Sequence, residues 1–131
     1  AILFMMTFVG MPTVFYGDEL GIRGILEEEY RHPMPWGDGD GDLHGFFKKA
    51  IAMRHELIPL RRGDFHMISA ESEGLIVFCR RAGEDTVTVC INCGCGEAAL
   101  PAAEGQLYWS GSLRDGHLLS NGFAVFSSCM P

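Results

Sequence analysis

The sequence predicts an α+β chain: a helical region to about residue 63, then an antiparallel β-sandwich from about residue 64 to residue 131. Two observations predict it. Apolar residues Phe46, Phe47, Ala50, Ile51, Met53, Leu57 and Ile58 recur at helical spacing, which gathers them on one face. After Asp64 the pattern changes to short β-branched and aromatic runs separated by Gly, Asn and Asp, as in a sandwich of many short strands.

Each element can be justified in turn. Ala1 to Val9 is apolar but only nine residues long, against roughly 20 for a membrane span. It lacks the basic start and small-residue cleavage site of a signal peptide. It reads as the tail of a buried helix, stopped by Gly10 and Pro12, in a fragment whose first part is out of view. Thr13-Val14-Phe15-Tyr16 is a continuous apolar run between Pro12 and Gly17, the pattern of a strand buried on both faces. A Gly-, Pro- and acid-rich loop follows, from Gly17 to about Asp42. Loops this long are commonly functional. The next helix runs from Leu43 to about Leu60, with Asp42 as its N-cap.

In the second region Leu75–Cys79 and Thr86–Ile91 form a hairpin across Gly83-Glu84-Asp85. Shorter strands are expected at 65–69, 98–100, 106–109 and 123–127. The turn signals between them are Asn92, Gly94, Gly96, Gly111, Asp115-Gly116 and Asn121-Gly122.

Composition narrows the function classes. Ten basic residues stand against 17 acidic ones, for a net charge of −7. That disfavours a nucleic-acid partner, which wants a basic face, and weighs weakly against anionic membrane surfaces. Five cysteines are an odd number, which argues against a closed disulfide framework and fits reduced thiols in a cytoplasmic protein. Cys90, Cys93 and Cys95 resemble half of a zinc site, but no second pair stands at ligand spacing. Asp38-Gly39-Asp40-Gly41-Asp42 evokes a calcium loop, yet Leu43 and Lys49 occupy the places where Gly and a bidentate Glu are required. The histidines are scattered, and no nucleophile elbow or phosphate-binding loop is present. Neither a metal nor a cofactor is expected.

The strongest signal is Gly10-Met11-Pro12-Thr13-Val14-Phe15-Tyr16-Gly17-Asp18-Glu19-Leu20-Gly21. Arg31 and Pro33-Met34-Pro35-Trp36 follow, and then Leu43 to Arg62 with Gly63-Asp64-Phe65. In this order the three segments resemble glycoside hydrolase family 13, the α-amylase family. They are similar to its last barrel strand, the loop after it, and its last barrel helix with the exit into the C-terminal sandwich. The Pro-Met-Pro-Trp wording is that of the neopullulanase, cyclomaltodextrinase and maltogenic amylase branch.

The resemblance implies that residues 1–63 are the last βα unit of a (β/α)8 barrel and residues 64–131 its sandwich domain. Barrel active sites lie at the C-terminal ends of the strands, so the loop after Tyr16 would face substrate. Retaining glycosidases use two carboxylates about 5 Å apart. By resemblance those acids sit on earlier strands, so no catalytic residue is expected here and the chain alone should be inactive. The substrate class implied is an α-glucan.

Arg31 matches a sugar-contacting Arg of some members, and Glu27 stands where they carry Asp four residues earlier. Arg31 could instead pair with Glu28 or Glu29. Trp36 would stack on a sugar or pack under the loop, and Tyr16 would line the pocket floor or the core. Gly17 and Glu19 are expected at the strand end, Glu19 accepting hydrogen bonds from loop backbone. An isolated barrel piece should also self-associate through its uncovered edges. The rival readings are a carbohydrate-binding sandwich, which needs exposed aromatics on one face, a Cys-rich metal-stabilised interaction module, and a structural remnant. Tyr108 and Trp109 are neighbours and would face opposite ways in a strand.

Overall fold

A computed structural model describes residues 1–24, 28, 32–70 and 74–129. Three helices, α1 (Ile2–Thr7), α2 (Gly41–Glu56) and α3 (Ile58–Arg62), cover one face of a six-stranded antiparallel sheet. Its strands are β1 (Asp64–Ala70), β2 (Leu75–Ala82), β3 (Asp85–Asn92), β4 (Ala98–Ala99), β5 (Gln106–Arg114) and β6 (His117–Ser127).

The sheet obeys period-two alternation. Phe78, Val87, Val89, Phe123 and Val125 point to the helices and are buried with Leu3, Met53, Leu57 and Leu60. Their strand neighbours Val77, Cys90 and Ala124 point the other way, to a second cluster with Leu75 and Leu118. A third cluster, Met6, Phe47 and Ala50, locks α1 to α2.

The expected sandwich is a single sheet that turns a corner. β6 pairs with β3 through Phe123–Ser127 and with β4 at His117 and Leu118. β5 follows β6 across the corner, and opposite Ser112 the residues 119–122 have no pairing partner. Asn121 and Ser112 take φ of 58° and 51° there. A Cβ on Gly122 would lie 2.7 Å from the carbonyl oxygens of Leu119 and Ser112, so only glycine fits. Asn121-Gly122, expected to end a strand, is thus a bend inside one.

Three other expectations are corrected. Thr13–Tyr16 forms no strand with any described residue: Thr13–Phe15 has no regular structure, Tyr16 starts a turn, and all four residues are exposed. A strand buried on both faces needs neighbours for its N–H and C=O groups and cover for its side chains. Among the described residues no strand lies beside it, and its side chains stand open to solvent. The expected single helix is two, broken at Leu57 (φ −88°, ψ 100°). Pro59 has no N–H and its ring would clash with the carbonyl four residues back, so it can only open a new helix. The N-cap of α2 is Asp40, whose Oδ1 accepts from Leu43 N at 2.9 Å. Asp42 lies within the first turn.

Tyr108 and Trp109 also depart from expectation. The β5–β6 register shifts between Leu107 and Trp109, and this bulge lets both neighbours pack against the helix-side core. Trp109 contacts Phe46 and Phe123, with Lys49 Nζ 4.7 Å over its ring. Tyr108 Oη donates to Glu56. Among the described residues, no aromatic side chain of the sheet is exposed, so the row a sugar-binding sandwich would present is absent.

Candidate functional site

The segment that carries the sequence signal is a loop anchored at both ends. At its start, two arginines gather the carbonyls released at the end of α1. Arg54, from α2, donates to Met6 O (2.7 Å), Phe8 O (3.2 Å) and Gly10 O. Arg80, from β2, donates to Thr7 O (3.0 Å), Phe8 O (3.0 Å), Leu60 O (3.1 Å) and Gly63 O (2.8 Å). A guanidinium suits this work because it has five donors in a fixed plane and satisfies the orphan carbonyls of two helix ends at once. Burial, then the charge of Arg54, lowers the pKa of Arg80. Arg80 is only 2% exposed. Its signal in the sequence was an arginine pair, Arg80 and Arg81, at the end of an apolar strand run, and sequence reasoning passed over it.

Gly17 follows, at φ +83°. A Cβ there would stand 2.3 Å from Ile22 Cδ1, so the turn requires glycine on both counts. Gly17 O accepts from Leu20 N (3.0 Å) and Ile22 N (3.1 Å), closing a 3₁₀ turn over Asp18–Leu20. Asp18 Oδ2 accepts from Phe15 N at 3.3 Å. The far end of the loop is tied back where Asp40 N donates to Leu20 O (3.1 Å). Asp40 therefore caps α2 and closes the loop base together.

Tyr16 is exposed, and its Oη donates to His32 O at 3.0 Å, which bridges the two arms of the loop. Its ring is not part of the described core. Trp36 is 85% exposed, so it does not pack under the loop. With Glu19, Leu20, Gly39, Asp40 and His44 it lines a cleft of about 370 Å³. Glu19 Oε2 is shut off from solvent and has no hydrogen-bond partner among the described residues. The sequence-predicted pair Arg31 and Glu27 lies outside the described residues, as does Glu29. The structure thus brings Tyr16, Gly17, Glu19 and Trp36 to one loop. Among the described residues, no three His, Cys, Asp or Glu side chains are grouped to hold a metal, and no helix is long and apolar enough to cross a membrane.

The outer wall of the loop is apolar. Met11 (91% exposed), Val14, Phe15 (61%), Ile51 and Ile58 are all open to solvent. Met11, Pro12, Val14 and Ile51 share a groove of about 340 Å³ with Met6, Arg54, His55 and Arg61.

Comparison with known proteins decides the relationship. The neopullulanase 2 of Thermoactinomyces vulgaris is 36% identical over 95 residues, which are 70% of this chain and 16% of that protein. A cyclomaltodextrinase of Geobacillus thermopakistaniensis is 37% identical over 93 residues, 69% of this chain and 16% of that protein. This chain is related by sequence to the neopullulanase and cyclomaltodextrinase group of the α-amylase family. No family model matches it.

The fold agrees with that group. A debranching enzyme of Nostoc punctiforme superposes with a TM-score of 0.79 at 22% identity, over 95% of this chain and 27% of that one. A solved cyclomaltodextrinase gives 0.76 at 27% identity, over 98% of this chain and 25% of that one. The chain spans about a sixth of the length of the curated neopullulanase and cyclomaltodextrinase it matches.

Proposed function

We propose that this chain is the C-terminal portion of an α-glucan hydrolase of the α-amylase type, acting in the parent on α-1,4 or α-1,6 glucosidic bonds. The observation that carries the reading is the 95-residue match to a neopullulanase, of which those residues make up 16%. Residues 1–63 would end the catalytic barrel and residues 64–131 form the C-terminal β-domain.

The uncovered apolar wall supports it. Met11, Val14, Phe15 and Ile51 are arranged as a surface that further barrel strands and helices would bury. The backbone of Thr13–Tyr16 has no strand partner among the described residues, so it is open to pairing with further strands. In that setting Tyr16, Trp36, Glu27 and Arg31 belong to the substrate side of the barrel, and Gly17 and Glu19 to the turn that leaves the strand. The acids that perform the chemistry would lie on earlier strands, so this polypeptide alone would not cleave glucan. Its free cysteines fit a reducing, cytoplasmic setting.

The test is reducing-sugar release from β-cyclodextrin, pullulan and soluble starch by the purified chain. No release above buffer is expected. Cleavage of any of the three by this polypeptide overturns the reading that the chemistry lies elsewhere.

A further inference from the structure

The loop between β3 and β4 carries a feature that the glucan reading does not use. Two of the five cysteines, Cys93 and Cys95, are exposed, while Cys79 and Cys90 are buried and Cys129 is half-buried. The two exposed thiols flank a single glycine, and the backbone of that glycine is fixed from three sides. Gly94 N donates to Asn92 Oδ1 (2.9 Å), and Gly94 O accepts from Ser120 Oγ (2.8 Å). Gly74 lies so close that a Cβ on it would be 2.5 Å from Gly94 N. Asn92, 1% exposed, is itself held by Gly96 O, Leu118 O and Leu119 O. Cys93 N donates to Gly74 O at 2.9 Å. The chain bends through residues 94–96.

The geometry points to Cys93 and Cys95 as a vicinal dithiol that closes reversibly to an intramolecular disulfide by exchange with a low-molecular-weight disulfide. Two residues of chain span at most roughly 7 Å, and disulfide-linked Cα atoms lie about 4.4–6.8 Å apart, so a bent Cys-Gly-Cys meets the distance requirement. The other thiols do not compete. Cys90 is fully buried and burial pushes its thiol up to about 11, which withholds the thiolate that exchange needs. Cys129 adjoins Ser128, whose side chain meets Thr86 at the opposite end of β3, roughly 20 Å of strand from Cys93.

The exchange has two steps. One cysteine thiolate attacks the external disulfide, forms a mixed disulfide and expels one thiolate. The second cysteine thiolate attacks the protein sulfur of that mixed disulfide and expels the other. The two cysteines lose two electrons and two protons, and the external disulfide is reduced to two thiols.

The test uses the whole chain incubated with oxidised glutathione, followed by alkylation and mass spectrometry. The expected product has lost two hydrogens, carries no glutathione, and places the bond between Cys93 and Cys95, with Cys90 alkylated only after unfolding. Cys93→Ser and Cys95→Ser should each retain one glutathione instead, whereas Cys129→Ser should behave like the native chain. Stable glutathione adducts on both Cys93 and Cys95 of the native chain, a disulfide between chains, or two persistently free thiols would each overturn the proposal.

Discussion

Arg80 is the residue on which the packing of the helices over the sheet turns. It satisfies carbonyls from the ends of α1 and α3 with a single side chain, and hydrogen bonds to a charged donor are worth more than neutral ones. Arg80→Met keeps the stem and removes the donors, leaving buried carbonyls without partners. A loss of about 3 kcal/mol is expected, read as a lower urea midpoint with an unchanged slope. Cys90 gives a pH signature. Burial pushes its folded thiol up to about 11 from an ordinary value of 9.0. The unfolded chain ionises first, so this contribution to stability is complete below about pH 9 and is lost as pH rises through 11. Cys90→Ala should flatten the fall in urea midpoint across that window relative to the native chain. An equal fall in both proteins would refute the assignment.

At the scale of elements, the loop and α2 depend on a single capping carboxylate. Asp40 Oδ1 holds Leu43 N, while its backbone N–H holds Leu20 O. Asp40→Ala removes only the first of these and should cost about 1 kcal/mol, visible as a lower melting temperature with native circular dichroism. Gly17→Ala tests the turn. The φ of +83° and the Ile22 contact together make a methyl group costly, by about 1–3 kcal/mol. Faster proteolysis between Met11 and Asp40 should accompany it, and unchanged proteolysis would show the turn to be tolerant.

At the scale of the whole molecule, apolar surface is unevenly covered: the residues between the helices and the sheet are buried, whereas Met11, Val14 and Phe15 of the loop, Ile51 of α2 and Ile58 of α3 face water. Exposed apolar surface of this kind drives association. Sedimentation should show a weight-average mass rising with concentration, and Ile51→Glu should lower it without changing the sheet's circular dichroism. A strictly monomeric native chain across the same range would contradict the unequal-surface argument.

Much of this architecture was legible in the residues themselves. The β2–β3 hairpin, the Asp115-Gly116 turn and the amphipathic face of α2 are local patterns, set by side-chain spacing and by which residues tolerate positive φ. The relationship to the α-amylase family was legible for the same reason, since it rests on the wording of residues 10–21 and 33–36. What required the tertiary structure was every decision made by distant partners. The Thr13–Tyr16 run has strand composition, but pairing is a property of two segments, and no described segment pairs with it. Two successive aromatics share a face only because β5 bulges against β6. An arginine in an apolar strand becomes a clamp only once α1 and α3 deliver their free carbonyls to it. Sequence fixes what a residue prefers locally, whereas burial and hydrogen-bond satisfaction depend on atoms far along the chain, and these decided the site.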